Sequence, residues 1–241
     1  MNEEARALIN ALPAKAEASQ AQDSWYCIAA CSFAACSQGT FVADVYRKAI
    51  EGHVQDHEAN KRVLRRIKES LLKTAVIYGV PRLINAGRSL ISALPNPELD
   101  NEIISIRNHI KEPSTTEQRG LVYMRNIFGA DLDPFATWMD ENWPDLRTYV
   151  MQFIYGYYQS DVSVIDAITT SQLNIATLIP MDVAPEVAWH MRGLVRNGGT
   201  LEQLQFASDI ATEVCRITNV ELKNRMPLPE EVINEERLIH I

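Results

Sequence analysis

The segment PEVAWHMRGLVRNGGTLEQ, residues 185–203, carries the clearest structural signals in the chain. Pro185 suits the first turn of a helix, because the amide hydrogen that proline lacks would have no intrahelical partner there. The Asn-Gly-Gly run ending at Gly199 terminates that helix. Thr200 and Gln203 have the spacing of a capping box, in which each side chain bonds the backbone amide of the other residue. The segment therefore predicts two consecutive helices joined by a tight turn.

Helical periodicity also dominates on both sides of this segment, and no run alternates apolar and polar residues as a strand would. We predict an all-α fold with helices over residues 25–37, 40–49, 58–78, 82–93, 99–110, 116–128, 133–141, 161–178, 185–197 and 200–218. A further helix is predicted from Trp143 into the tyrosine-rich residues 153–158. The prolines beyond Lys223 predict an extended C-terminal arm.

Composition limits the classes of partner. The chain of 241 residues has a formal net charge of −8, which disfavours nucleic acid and anionic membranes as partners. No segment reaches the roughly 18 apolar residues of a membrane helix, and the N-terminus does not have the pattern of a signal peptide.

The four cysteines show no paired spacing, which is typical of reduced thiols. We expect a cytoplasmic protein. The alternative is a peroxisomal or mitochondrial one, although the last residues are not of the Ser-Lys-Leu type.

The two halves of the chain have the same order of pieces, which predicts an internal duplication. Each half has a small-residue helix, a break, a short helix, a turn and a long helix. The pieces are Cys27–Ser37, Phe41–Gly52 and Glu58–Val80 in the first half, and Thr169–Ile179, Pro185–Gly198 and Thr200–Val220 in the second. We therefore divide the chain into an N-terminal helix or arm (1–21), a first, degenerate repeat (22–94), a helical connector (95–149), a second repeat (150–222) and a tail (223–241).

The Trp189-His190 pair, the Asn197-Gly198 turn and the helix restart at Thr200 resemble the carboxymuconolactone decarboxylase family. Other similar segments are residues 165–178, the small-residue helix at Trp25 and Lys73–Pro81. The resemblance covers about residues 22–94 and 150–222 and is closest to the two-repeat subgroup of fungi. It implies an alkylhydroperoxidase-D-like helical orthogonal bundle and cyclic oligomers. Because duplication supplies one partner internally, we expect a homo-oligomer as small as a dimer or trimer.

Members of this superfamily either decarboxylate a lactone without metal or organic cofactor or reduce peroxides with a CxxC pair. If His190 is the family histidine, the two cysteine positions fall on Val183 and Glu186. Neither side chain can form the thiolate that attacks a peroxide. In the first half Cys36 lies too early, and Val45 takes the histidine position. Dithiol peroxidase chemistry is therefore disfavoured.

The resemblance points to His190 as a general acid/base, a role that suits histidine near neutral pH. Neighbouring residues on a helix point about 100° apart, so His190 needs partners from other elements. The predicted substrate-binding residues are Trp189, Arg192, Tyr46, Arg47, Lys73 and Tyr78. The hypothesis is a cofactor-independent decarboxylase or other lyase that acts on a small organic acid or lactone.

Several alternatives remain open. One alternative is a peroxidase-type antioxidant, and another is a non-catalytic oligomeric scaffold in which His190 only makes a packing contact. His53 and His57 have a metal-ligand spacing beside Asp56 and Glu58, but the sequence offers no third ligand, so no metal is expected. Cys27 and Cys31 are predicted to be small core residues, and the tyrosines of 155–158 to make packing or oligomer contacts.

Overall fold

The computed structural model describes residues 3–94, 105–110 and 112–239, and within these ranges the chain is all-α with no strand. The predicted all-α class is therefore confirmed. No helix among the described residues is long and apolar enough to cross a membrane.

The helices of the first half are α1 (Glu3–Ala18), α2 (Trp25–Ala35), α3 (Val42–Ile50), α4 (His57–Tyr78) and α5 (Val80–Ser92). The side chain of Asp56 caps α4 by accepting a hydrogen bond from the amide of Ala59. Gly79, at φ 90°, separates α4 from α5, which confirms the stop and restart at this point.

The connector and second half form α6 (Glu117–Phe128), α7 (Leu132–Asn142), α8 (Pro144–Thr148), a π-helical segment (Tyr149–Gln159), α9 (Ala167–Leu178), α10 (Ala184–Arg196), α11 (Leu201–Ile217) and α12 (Pro229–Ile239). The predicted capping box is confirmed, since the Gln203 amide donates to the Thr200 hydroxyl and the Thr200 amide donates to the Gln203 side chain.

Two small-residue helices, α2 and α9, form the centre of the molecule. Every residue of α2 is buried, and so is every residue of α9 from Thr169 onward. They contact each other, and the other helices of both halves pack around them. Small side chains allow such close approach on all sides of a helix. The predicted units 22–94 and 150–222 thus share one apolar core.

The contacts within the two halves correspond to each other. Helix α2 packs on α3 and α4, as α9 packs on α10 and α11. Helix α3 contacts α4, as α10 contacts α11. Across the halves, α2 meets α11 and α9 meets α4.

A smaller apolar cluster joins α6, α7 and the π-helical segment. Helix α6 and the π-helical segment approach closely at two glycines. A β-carbon at Gly120 would lie 2.8 Å from the backbone nitrogen of Gly156, closer than real β-carbon contacts. This close approach fixes the π-helical segment against α6.

Three expectations need correction. Residues 229–239 form helix α12 rather than an extended arm, because α12 packs on α10 and α11. Helix α9 begins at Ala167 rather than near 161, since the side chain of Asp166 caps it by accepting from the amide of Thr169. The helix predicted over 99–110 lies partly outside the described residues, and residues 105–110 form turns.

Candidate functional site

His190 lies on the inner face of α10, where it is 6% exposed. Burial lowers the pKa of this imidazole to about 4, because the charged form loses its hydration. His190 is therefore neutral near pH 7. Its two ring nitrogens face two different partners, Asn174 on α9 and Tyr155 on the π-helical segment.

A chain of amide hydrogen bonds determines the tautomer of this ring. The backbone carbonyl of Lys73 can only accept, so the Gln159 side chain must present its NH₂ group to it, at 2.8 Å. That NH₂ group also donates to Asn174 Oδ1, and Asn174 Nδ2 in turn donates to Gln159 Oε1 at 3.0 Å. Asn174 Nδ2 therefore also donates to His190 Nδ1, at 3.2 Å. The proton of the neutral imidazole consequently resides on Nε2.

Nε2 of His190 faces the hydroxyl of Tyr155 at 3.5 Å. Burial raises the pKa of Tyr155, so the phenol is protonated. The ring of Phe128 packs on Tyr155 with centroids 5.7 Å apart, and Tyr123 lies on another side at 6.3 Å. This side of the imidazole is therefore closed by aromatic rings from α6 and the π-helical segment.

Lys73 lies at the other end of the amide chain and is 1% exposed. Its ammonium group donates to the Gln159 carbonyl and to the Thr170 hydroxyl, both at 3.0 Å. Burial lowers the pKa of Lys73 to about 8, against a smaller raising effect of the Glu69 carboxylate. An amine with this pKa exchanges protons near neutral pH.

Two buried carboxylates near Lys73 are bound by another cation. Arg107, which is 3% exposed, makes a two-point contact with Glu69. Its Nε atom lies 3.8 Å from an Asp161 oxygen, and its guanidinium stacks on the Tyr158 ring at 5.1 Å. These carboxylates act on Lys73 through space, while its hydrogen bonds go to neutral oxygen atoms.

Of the predicted site residues, the structure brings His190 and Lys73 into one hydrogen-bonded cluster. Trp189 points away from His190 and donates to Asp131 at 2.9 Å. Its ring packs on Phe128, which also touches Tyr155, so Trp189 forms the outer wall of the aromatic side.

Arg192 lies on the other side of α10 and pairs with α12. Its guanidinium binds Glu235 at 3.2 Å and lies 3.8 Å from Glu236. Residues two apart on a helix face different directions, which places Arg192 away from the imidazole.

The remaining candidates lie outside the cluster. Tyr46 lies on α3 and is fully buried in the apolar core. Arg47 pairs with Asp44 and lines an open surface cavity of about 620 Å³. The Tyr78 hydroxyl donates to the carbonyl of Leu71, within its own helix.

The other histidine and cysteine pairs considered in the sequence do not form a metal site within the described part of the chain. His53 bonds the side chain of Asn60 at 3.0 Å. Over the described ranges, no group of three His, Cys, Asp or Glu residues converges as metal ligands would. Cys27 and Cys31 are fully buried in the core.

Gln159, Thr170 and Asn174 were not identified from the sequence, and Tyr155 was assigned to packing or oligomer contacts. One signal was present. Helix α9 begins with the sequence AITTSQLN, a run of uncharged polar residues. The helix is buried from Thr169 onward, so these polar side chains lie inside the protein. Buried amides and hydroxyls need partners, so such a run indicates a polar network.

Lys73, Gln159, Asn174, His190 and Tyr155 thus form a continuous buried network, which we call the polar cluster. It contains a cation of near-neutral pKa at one end and a neutral imidazole with its proton on Nε2 at the other. These groups are suited to binding an anion and to stabilising negative charge on an oxygen atom.

The chain is similar to two yeast proteins, each named "Peroxisomal protein 2". It is 26% identical to the Schizosaccharomyces pombe protein over 198 residues, which covers 82% of this chain and 88% of the relative. It is 23% identical to the Saccharomyces cerevisiae protein over 255 aligned positions, which covers 83% of this chain and 90% of the relative. No protein-family model and no solved structure matches. The chain is thus homologous over most of its length to these two peroxisomal proteins of yeasts.

Proposed function

We propose that the protein is a two-repeat member of the carboxymuconolactone decarboxylase-like group. In this proposal it is a cofactor-independent enzyme that acts on a small organic acid or lactone at the polar cluster. The corresponding contacts of the two halves support a duplicated, alkylhydroperoxidase-D-like bundle, with α2, α3 and α4 matching α9, α10 and α11. The resemblance around Trp189 and His190 supports the group.

The observation that carries the enzymatic proposal is the buried ammonium of Lys73, hydrogen-bonded to neutral oxygens and linked by amides to His190. Burying a cation without a direct counter-ion costs stability, as its lowered pKa reflects. Such a cost is typical of functional sites rather than of packing. A scaffold protein would not need convergent polar groups around His190, so their presence favours an enzyme.

In this proposal the Lys73 ammonium attracts the carboxylate of the substrate. His190 donates its Nε2 hydrogen to the oxygen on which negative charge develops when the carbon dioxide leaves or the lactone opens. A neutral imidazole is suited to this role because it polarises an oxygen without carrying a charge of its own. Lys73, with a pKa of about 8, supplies the proton that the resulting enol or carbanion takes up.

The substrate must reach a closed cluster, because Tyr155 and His190 are 9% and 6% exposed. The π-helical segment that carries Tyr155 and Gln159 is the element suited to open it. π-helical turns are strained relative to α-helix and occur frequently at functional sites.

The test is turnover of a panel of small carboxylic acids and carboxylate-bearing lactones, followed by carbon dioxide release and mass spectrometry of products. His190→Ala should lower kcat at least about 100-fold, the usual contribution of a positioned proton-transfer group. His57→Ala, on an exposed histidine, is the matched control and should retain wild-type rates. Circular dichroism verifies that both variants fold. Full turnover by folded His190→Ala would refute the assignment.

We also propose a peroxisomal rather than a cytoplasmic location, because both curated relatives carry that location in their names. Fluorescence microscopy of the chain with an N-terminal tag, beside a peroxisomal marker, tests this. Diffuse fluorescence would favour the cytoplasm instead.

The expected assembly is a homodimer or homotrimer, by analogy with the group. Light scattering on the purified chain should give a mass of two or three times 27.2 kDa. A mass of one chain across the accessible concentration range would contradict this expectation.

A further inference from the structure

Two of the four cysteines, Cys36 and Cys215, lie side by side although they are 179 residues apart in sequence. Their Sγ atoms are 4.0 Å apart. Cys36 follows the last residue of α2, and Cys215 lies in the last turn of α11. A disulfide needs a sulfur separation of about 2.05 Å, so rotation of side chains at these two helix ends must bring the sulfurs about 2 Å closer.

The pair differs chemically from the other two thiols. The contact with the Cys215 thiol lowers the pKa of Cys36 against the raising effect of burial, and the Thr218 hydroxyl and the Arg82 guanidinium lower it as well. The pKa of Cys215 is raised by the same interaction. In contrast, burial raises the pKa of Cys27 to about 11 and raises that of Cys31 as well.

Access also separates the two kinds of cysteine. Cys36 is 6% exposed and Cys215 is 2% exposed, whereas Cys27 and Cys31 are both 0% exposed. Thr218, beside Cys36, lines the surface cavity of about 620 Å³. A small oxidant in that cavity would contact Thr218, the residue whose hydroxyl interacts with Cys36.

We propose that Cys36 and Cys215 form a redox-active dithiol, which a hydroperoxide oxidises to an intramolecular disulfide that joins the ends of α2 and α11. The Cys36 thiolate attacks one peroxide oxygen, the O–O bond breaks, and Cys36 becomes a sulfenic acid while water or an alcohol leaves. The Cys215 sulfur then attacks the Cys36 sulfur, the S–O bond breaks and water leaves. Two thiols lose two electrons and two protons, and one peroxide is reduced per disulfide.

This site is separate from the polar cluster and does not depend on the proposed lyase activity. It also differs from a CxxC site, because the two cysteines come from different halves of the chain. Different variants therefore test the two proposals.

The test is treatment of the reduced, folded full-length chain with hydrogen peroxide. Thiols are then counted in denaturant, and disulfides are mapped by non-reducing chymotryptic digestion. Cleavage after Phe33 and Phe41 places Cys36 in a peptide without Cys27 or Cys31. We expect the thiol count to fall from four to two, with the 34–41 peptide linked to the peptide that contains Cys215. An unchanged thiol count in excess peroxide, or a disulfide between other cysteines, would overturn the proposal.

Single variants assign the roles. Cys36→Ser should lose the peroxide-dependent disulfide, and Cys215→Ser should leave a sulfenic acid on Cys36 that dimedone traps. Cys27→Ser is the matched control and should form the disulfide at the wild-type rate. Should Cys36→Ser not fold, Arg82→Met tests the same point, because it leaves both thiols in place and should slow the oxidation several-fold. An unchanged rate in Arg82→Met, or dimedone labelling at Cys215 rather than at Cys36, would contradict the assigned roles.

Discussion

At the scale of single residues, the backbone carbonyl of Lys73, which lies in another helix, determines which nitrogen of His190 carries the proton. Through Gln159 and Asn174, this carbonyl requires Nδ1 of the imidazole to accept and Nε2 to carry the hydrogen. Protonation of His190 would place two N–H groups opposite each other, in addition to the cost of burying a charge. Both effects favour the neutral ring.

His190 should therefore destabilise the folded state in acid. Its pKa is about 4 in the folded protein and 6.5 when unfolded, so the unfolded state binds the proton first as the pH falls. The free energy of unfolding should drop by about 3 kcal/mol from this group between pH 6.5 and 4. Urea unfolding across this range, compared with His190→Gln, isolates the effect. A pH dependence identical in both proteins would show that the imidazole titrates normally.

Lys73 should produce the corresponding effect in alkali. Its pKa is about 8 when folded and 10.5 when unfolded, so the unfolded state retains its proton longer as the pH rises. Relative to Lys73→Met, the wild type should gain about 3 kcal/mol of unfolding free energy between pH 8 and 10.5. Relative to Lys68→Met, which replaces an exposed lysine on the same helix and keeps Lys73, the wild type should show no such gain. Parallel curves for wild type and Lys73→Met would contradict the lowered pKa.

The sequence indicated His190 and Lys73 but not the residues that connect them. A histidine stands out by its chemistry, and Lys73 lies within a segment of family resemblance. Gln159 and Asn174 carry no charge, and their role depends on the packing of α4 against α9. Periodicity within one helix contains no information on which other helix it meets.

At the scale of elements, the position of the π-helical segment depends on the close approach of Gly120 and Gly156. Gly120→Ala would place a methyl group against backbone atoms, which cannot move away as a flexible side chain can. We expect a loss of about 1–3 kcal/mol in the free energy of unfolding, with reduced turnover, because this segment carries Tyr155 and Gln159. Gly87→Ala, with open space around its β-carbon, should be neutral or slightly stabilising. Equal stabilities for the two variants would mean that the approach is not tight.

Helix α12 is held to α10 by a buried ion pair. The Glu236 carboxylate, 1% exposed, accepts from Arg196 Nε and Nη2 at 2.9 and 2.7 Å. Glu236→Gln removes the negative charge opposite a part-buried guanidinium and should cost about 2–4 kcal/mol in chemical denaturation. Glu235→Gln, on the exposed neighbour that binds Arg192, should cost less than about 1 kcal/mol. A smaller loss for Glu236→Gln than for Glu235→Gln would place the stabilising pair elsewhere.

Element boundaries were predictable where a local signal exists, as at the Thr200 capping box and at Gly79. Helix α12 was not predicted, because Pro227 and Pro229 indicated an extended tail. Pro229 is nevertheless a permitted first residue of a helix. Its helical form depends on the pairing with α10, a tertiary contact that no local pattern contains.

At the scale of the whole molecule, the two halves play unequal parts in the polar cluster. The first half contributes Lys73 from α4, and the second contributes Asn174 and His190 from α9 and α10. The site thus lies where α9 meets α4, a contact between the halves. This contact lies within one chain, whatever its oligomeric state.

The most direct test of the central claim, that the polar cluster is the functional site, is the melting temperature in the presence of small carboxylic acids and lactones. A ligand that binds the folded state raises the Tm with its concentration. We expect at least one compound to raise the Tm of the wild type and of Lys68→Met, and to leave that of Lys73→Met unchanged. An equal rise in Lys73→Met would show that the ligand binds elsewhere and would contradict the account.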